Sequence, residues 1–584
     1  MVSITQKFKS LQGYLFAVNQ PITTGQIRFD LDDKEEIDTI NRSRSYEWFK
    51  FDSTQDHKNI VDDFCKTFIF LQQSSRIPIS NNYFFYLEKK TGNKIYNIVL
   101  PTLNSIANKL TLEFLLNFIN LINKKNYIVE SQNEINSQFE ELKKKLDQIG
   151  ANGQNYFNLI NAALELEINV LSSNPRLLRF GIGKSQLFMN STITEHTSFL
   201  GTHLAQDKFI TSQILNQSGM PGTQCFRVKN VEQAIFIANK INYPVVVKPA
   251  NLDRGIGVYA NLINDEMVND FFRKASLVSK NIILEKHYDG FGHRLTFFNG
   301  RVIKVTKKLP AGIHGDGKKN IKELIEDAIT KNIDLSLKQP LYPSNIELDQ
   351  EAMGLLHQFN LTPESIIEEG KFFPLKRRNN TIAGGSNEII EIKEVHPDNI
   401  DLCIRAAQLF CLDIAGIDLI INDIKKSWLE QNCAICEINA MPQTDKVTIK
   451  AILSELMTDT NLVEFHLGIT TENTLAFLDE EIRNLSLELG CNGYTSSIGL
   501  MVDDRIITRA FESHFFGALA LARCKNLKKG LAVIPITEIK KVGLPLNKFS
   551  SIRLINKLEK KDIEEPDLAD FFDSIKQHTS QLII

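Results

Sequence analysis

Two apolar runs constrain this chain more than any other stretch: Gly416-Ile417-Asp418-Leu419-Ile420 and Ala434-Ile435-Cys436-Glu437-Ile438-Asn439-Ala440. Each reads as a buried strand, and the loop between them is short enough for a hairpin. Side chains alternate faces along a strand, so Glu437 and Asn439 project to the same side. If the runs pair, Asp418 joins them. Three hard oxygen ligands then converge, a set suited to magnesium held against nucleotide phosphates. The plainer alternative is a solvated strand face, which is common for a single Asp or Glu.

The 584 residues are enough for three or four domains at roughly 150 residues each. Net charge is −3, so no global field favours nucleic acid or an anionic membrane. No apolar run approaches the ~20 residues needed to span a bilayer. The opening Met1-Val2-Ser3-Ile4-Thr5-Gln6-Lys7 lacks the plan of a signal peptide. The 8 cysteines are scattered, which points to reduced thiols and a cytoplasmic protein. Cys433 and Cys436 have C-x-x-C spacing but no second ligand pair, and both read as core residues.

Residues 1–155 mix strand-like stretches (83–87 and 95–100) with an amphipathic run at 110–121 and a polar helix at 130–149, as in a small α/β domain. Asp207-Lys208 opens a helix ended by Gly219-Met220-Pro221, and Val231 to Ile241 forms a second. The run 243–249 is a buried strand ending in Lys248-Pro249, followed by a loop containing Gly255 and Gly257. Residues 282–285 form a strand, and Asn299-Gly300 joins 293–298 to 301–306 as a hairpin. Helices are expected at 321–325 and 400–409.

A lysine ending a buried strand beside a glycine-containing loop suits phosphate binding, because the glycines let backbone N–H groups approach an anion. Lys208 and Lys248 each offer a cation, Glu285 could hold an adenine edge, and Arg294 is a forked donor for phosphate or carboxylate. Taken singly, each is as well explained as a solvated charge.

Their order resembles that of the ATP-grasp ligases, and within them the cyanophycin synthetases. The likeness runs from about Ala163 to Lys446. It includes Leu309-Pro310-Ala311, Gly315-Asp316-Gly317, Leu361-Thr362-Pro363-Glu364-Ser365, Glu394-Val395-His396-Pro397 and Asp413-Ile414-Ala415-Gly416-Ile417-Asp418. The resemblance implies a multidomain α/β (α+β) chain: a small N-terminal α/β domain (1–155), an ATP-grasp ligase domain (156–455, with 156–205 preceding the grasp) and a C-terminal domain (456–584). It implies a carboxylate–amine ligase that forms an acyl phosphate and releases ADP and phosphate, joining aspartate or β-aspartyl-arginine units. ATP would be held by Lys208, Lys248, Gly255, Gly257 and Glu285. Two magnesium ions would be carried by Asp418, Glu437 and Asn439, with Arg294, Lys308 and Asn380 acting on the reacting groups. The implied partners are an amino acid or peptide substrate and further copies of the chain, with no nucleic acid and no membrane.

Several positions depart from the family. Asn251-Leu252-Asp253-Arg254 precedes Gly255 where the family has more glycine, and Gly292 precedes His293-Arg294 where it has an acid. Asn380-Thr381-Ile382-Ala383-Gly384-Gly385 lacks two hydroxyls, and Gln443 replaces a glycine. The 456–584 region resembles fragments of a Mur ligase, with Gly468-Ile469-Thr470-Thr471-Glu472-Asn473-Thr474 where a phosphate loop would lie. Glu472 reverses the charge of the phosphate-binding lysine, so a degenerate remnant is expected. Two alternatives stand beside the polymer ligase: a catalytically silent scaffold or regulatory homologue, and a ligase making a small peptide.

Overall fold

The computed structural model describes residues 2–29, 42–43, 46, 48–49, 60–88, 94–123, 129–252, 256–334, 347–376, 386–458, 463–472, 475–509, 511–556 and 566–583. The expected site residues Gly255 and Asn380 lie outside them, as do Gly384 and Gly385. The chain forms two compact units, Met1–Ser191 with Gln443–Ile584, and Thr192–Pro442.

The first unit contains an antiparallel sheet in the order Val2–Ser10, Ile22–Phe29, Ile95–Pro101, Phe84–Leu87. Helices Ile60–Ser74, Ser105–Ile122 and Val129–Ile149 contribute to a core built around Phe64, Phe68, Phe118 and Ile119. The same unit holds a seven-stranded sheet ordered Arg505–Arg509, Gly499–Val502, Gly493–Ser496, Lys529–Pro535, Glu464–Thr470, Ser551–Leu554, Leu582–Ile583. Its strands are parallel from Gly493–Ser496 to Leu582–Ile583. Leu11, Tyr14, Leu15 and Val18 share a core with this second sheet. Sequence placed boundaries at residues 155 and 455, whereas the units part after Ser191 and Pro442. The Gln154–Glu165 and Lys446–Leu456 helices account for the difference. Glu165 binds Lys446 at 2.5 Å and Lys450 at 2.8 Å, and Asn158 donates to the Thr444 carbonyl at 3.0 Å, so both helices belong to the first unit.

The second unit has two main antiparallel sheets. The smaller runs Tyr259–Leu262, Val245–Pro249, Ile282–Lys286, Cys225–Val228, and helices Val231–Ile241 and Asp265–Ser276 supply the apolar residues that cover it. The larger runs Ser386–Ile390, Arg301–Leu309, Phe291–Phe298, Ile414–Ile421, Ala434–Asn439. The helix Pro397–Leu409 buries Leu402, Cys403, Ala406 and Ala407 with Leu295, Val305, Ile417 and Leu419 of this sheet. It begins three residues earlier than the apolar pattern indicated, because Pro397 suits the first helical turn, where an N–H would have no intrahelical partner. The Phe291–Phe298 and Arg301–Leu309 strands are joined through Asn299 (φ 44°) and Gly300 (φ 85°), the left-handed pair that a two-residue hairpin requires.

Candidate functional site

The register of the larger sheet builds the site. Asp418 lies directly opposite Arg294 on one neighbouring strand and Glu437 on the other, and Gly416 lies opposite Thr296 and Asn439. Alternation puts Arg294, Asp418, Glu437 and Asn439 on one face while Leu295, Ile417, Leu419 and Ile438 enter the core on the other. An interior polar row is stable only if its members satisfy one another, and here they do.

Arg294 Nε and Nη2 donate to Asp418 Oδ1 and Oδ2 at 2.7 and 2.8 Å, and Lys308 Nζ donates to Oδ2 at 2.7 Å. Asn439 continues the row: with its amide turned to suit both neighbours, it accepts from Arg294 Nη2 at 2.9 Å and donates to Glu437 Oε1 at 3.3 Å. Burial alone would push the Asp418 carboxyl up, but Arg294 and Lys308 override it and hold it well below the usual carboxylate range. Burial likewise opposes the Arg294 charge, and Asp418 restores it, raising the guanidinium pKa. Gly416 makes room for this arrangement. A Cβ there would come within 3.1 Å of Pro442 Cβ and 3.4 Å of Arg294 Cδ and Nε.

The smaller sheet supplies a second charged pair. Lys248 and Glu285 are both buried, with Nζ 2.6 Å from Oε1. Burial disfavours the ammonium, yet the Glu285 carboxylate overcomes this and raises the Lys248 pKa. Thr223 Oγ1 donates to the other oxygen of Glu285 at 3.1 Å. Glu285, expected to face an adenine, is thus engaged with Lys248 in the structure. Lys208 opens the Lys208–Gln217 helix, whose Asp207 cap accepts from Phe209 N at 2.9 Å and Ile210 N at 3.1 Å. Its ammonium donates to the Leu252 carbonyl at 2.9 Å and stands 3.6 Å from Glu437 Oε1. Gly257 adopts φ 69°, and a Cβ there would lie 2.8 Å from Val278 Cγ2, so the turn after the Lys248 strand favours glycine twice over.

The structure therefore brings Lys208, Arg294, Lys308, Asp418, Glu437 and Asn439 into one cluster and Lys248 with Glu285 into another. Sequence reasoning missed Thr223 and Gly416. Thr223 acts only through a tertiary contact to Glu285 and has no local signature. Gly416 sits at the head of the first diagnostic run but reads there as a neutral strand residue. Cys433 is buried in the core as expected. Cys436 is only half-buried: it is the extra residue of a bulge between the Asp418–Glu437 and Leu419–Ile435 pairs, with Sγ 3.4 Å from the Asp418 carbonyl. Among the described residues no three His, Cys, Asp or Glu side chains form a metal cage. The oxygen set here is two carboxylates and an amide.

This geometry can be compared with known proteins. Residues 207–294 match the ATP binding domain of the carbamoyl-phosphate synthase L chain, and residues 364–459 match the RimK-like ATP-grasp domain. The chain carries an ATP-grasp domain of the kind found in ATP-dependent ligases. Cyanophycin synthetase from Trichormus variabilis is 33% identical over 269 residues, covering 46% of this chain and 29% of that protein. The bifunctional glutathione biosynthesis protein of Mannheimia succiniciproducens is 27% identical over 289 residues, covering 46% of this chain and 36% of the relative. The chain thus spans well under half the length of these relatives. Among solved structures, a bifunctional glutathione synthetase from Pasteurella multocida aligns with a TM-score of 0.40 and 18% identity, over 61% of this chain and 55% of that one. No helix among the described residues is long and apolar enough to cross a membrane.

Proposed function

We propose that the ATP-grasp domain is an ADP-forming carboxylate–amine ligase. The observation that carries this reading is the cross-strand row Arg294–Asp418–Glu437, extended by Asn439 and facing Lys208, in a segment related to cyanophycin synthetase. Two carboxylates and an amide oxygen fit a hard dication such as magnesium, which would neutralise phosphate charge when bound. Asp418, Glu437 and Asn439 would hold it. Lys208 and Lys248 would bind the inner phosphates, and the segment carrying Gly255 and Gly257 would cover the outer one.

In this reading the substrate carboxylate attacks the γ-phosphorus, the bond to the β–γ bridging oxygen breaks, and ADP leaves. The amine then attacks the acyl carbon, phosphate departs, and the ammonium proton is lost to give the amide. Arg294 and Lys308 stabilise charge on the transferred phosphoryl group, and Asn380 would act on the same reacting groups. The residues contribute by positioning and charge compensation, with no covalent step of their own. The acceptor is an aspartate or β-aspartyl-arginine unit, and a small peptide product is the second reading, supported by the likeness to a glutathione-forming protein. Mass spectrometry after incubation with ATP, magnesium and a panel of amino acids and Asp-Arg dipeptides tests the choice: a ladder of products supports the polymer, and a single condensed dipeptide or tripeptide the alternative.

We also propose that residues 456–584 are a Mur-ligase-like remnant without nucleotide chemistry. The strand Glu464–Thr470 leads to Glu472, and the next helix opens with Asp479, Glu480 and Glu481. Three carboxylates already compensate that helix N-terminus and would repel a phosphate. ATP binding that survives Lys248→Met with unchanged stoichiometry would count against this assignment.

A further inference from the structure

Each oxygen ligand expected for the metal has a cation expected for the phosphate as its partner. Asp418 is held by Arg294 through two hydrogen bonds and by Lys308 through a third, all between 2.7 and 2.8 Å. Asn439 accepts from Arg294 at 2.9 Å, and Glu437 lies 3.6 Å from Lys208. The Asp418 side chain is 6% exposed, so little water reaches the carboxylate to weaken these pairings. A divalent ion approaching this carboxylate has to displace at least one of them and then sit beside two positive charges.

We infer that the metal ligands and phosphate ligands are mutual counter-ions, so that a divalent cation binds this site only together with a nucleoside polyphosphate. The inference rests on the ligase reading and adds an order of assembly to it. A polyphosphate offers Arg294, Lys308 and Lys208 new anionic partners. Their withdrawal from Asp418, Asn439 and Glu437 would free those oxygens to hold a divalent ion, which would supply charge neutralisation to the polyphosphate. Charge is conserved through the exchange: each cation trades a carboxylate or amide for a phosphate, and each carboxylate trades an ammonium or guanidinium for the metal. The device keeps a buried acidic row compensated and keeps the site from filling with metal alone.

Lys308 is the residue on which this can be read. It touches one oxygen of Asp418, its side chain is 24% exposed, and its removal leaves the Arg294–Asp418 pair to maintain the fold. The experiment measures Mn2+ binding to the full chain by electron paramagnetic resonance, with and without a non-hydrolysable ATP analogue, in wild type, Lys308→Gln and Lys308→Arg. Wild type should bind Mn2+ at least tenfold more tightly with the analogue than without it. Lys308→Gln should raise the affinity for Mn2+ alone by about tenfold, and Lys308→Arg should leave it at the wild-type level. Tight Mn2+ binding to wild type alone, or equal Mn2+ affinity in all three proteins, overturns the inference while nucleotide binding keeps the ligase reading. Failure of wild type to bind the analogue with Mn2+ overturns both. Calorimetric unfolding of each variant checks that the fold is retained.

Discussion

Replacing Asp418 by Asn should destabilise the Thr192–Pro442 unit far more than replacing Glu437 by Gln, although both should abolish ligation. Asp418 is 6% exposed in its side chain, against 22% for Arg294 and 24% for Lys308. Removing its charge leaves two cations on one carboxamide. Loss of one partner from a buried pair costs about 3–5 kcal/mol. Because both cations can recover some water, the lower end, about 3 kcal/mol, is expected. Glu437 is 25% exposed, and its Lys208 partner stands at 3.6 Å, so neutralising it should cost less than about 1 kcal/mol. For a unit of this size, about 3 kcal/mol corresponds to a fall of roughly 6–12 °C in its transition. Differential scanning calorimetry of the full chain, which resolves separate units, measures this. Asp418→Asn should shift one transition by that amount and Glu437→Gln by no more than a few degrees. Identical thermograms for the two variants would refute the claim that Asp418 is the electrostatic keystone of the row.

Three further outcomes follow from the geometry. Lys248→Met should cost about 3 kcal/mol by stranding buried Glu285, and Lys248→Met with Glu285→Leu should recover most of it without restoring ATP binding, as thermal melts and calorimetry with ATP would show. His293 is buried with its pKa lowered to about 4, first by burial and then by Lys307, with the Phe291 carbonyl opposing. The unfolded chain therefore binds more protons between pH 6.5 and 4, and stability should fall as pH drops through that window, by up to about 3 kcal/mol. Denaturation at pH 7 and pH 4.5 should show this loss in wild type and a smaller one in His293→Gln. Gly416→Ala should push the Arg294 side chain or Pro442 aside, lowering ligation about tenfold while costing about 1 kcal/mol of stability.

Much of the site was legible because its signals are local. The Asp207 cap, the glycine after Ser218, the Asn299-Gly300 turn and the apolar runs around Asp418 and Glu437 each act within a few residues. Pairing Asp418 with Glu437 needed only a hairpin. The contact of Arg294 with Asp418 joins residues 124 apart, and no periodicity encodes that register. The same holds for Thr223 on Glu285, 62 residues away, and for the bulge at Cys436. The N-terminal region was less legible for another reason. Its Val2–Ser10 strand exposes seven of its nine residues, with only Val2 buried and Phe8 intermediate, so it lacks the alternation that marks a half-buried strand. The unit boundary at Ser191 was hidden too, since the helices that shift it meet through residues such as Glu165 and Lys446, far apart in sequence.

The central claim is that this chain uses the Asp418–Glu437 row to couple ATP cleavage to amide formation. It is tested most directly by measuring ADP release together with product mass, for wild type and for Glu437→Gln, across amino acids and Asp-Arg dipeptides. The account predicts ADP release that depends on an added substrate, a product with the mass of two substrates less one water, and loss of both in a folded Glu437→Gln protein. ADP release and product that persist unchanged in Glu437→Gln, or ATP binding without turnover on any substrate of the panel, would contradict it.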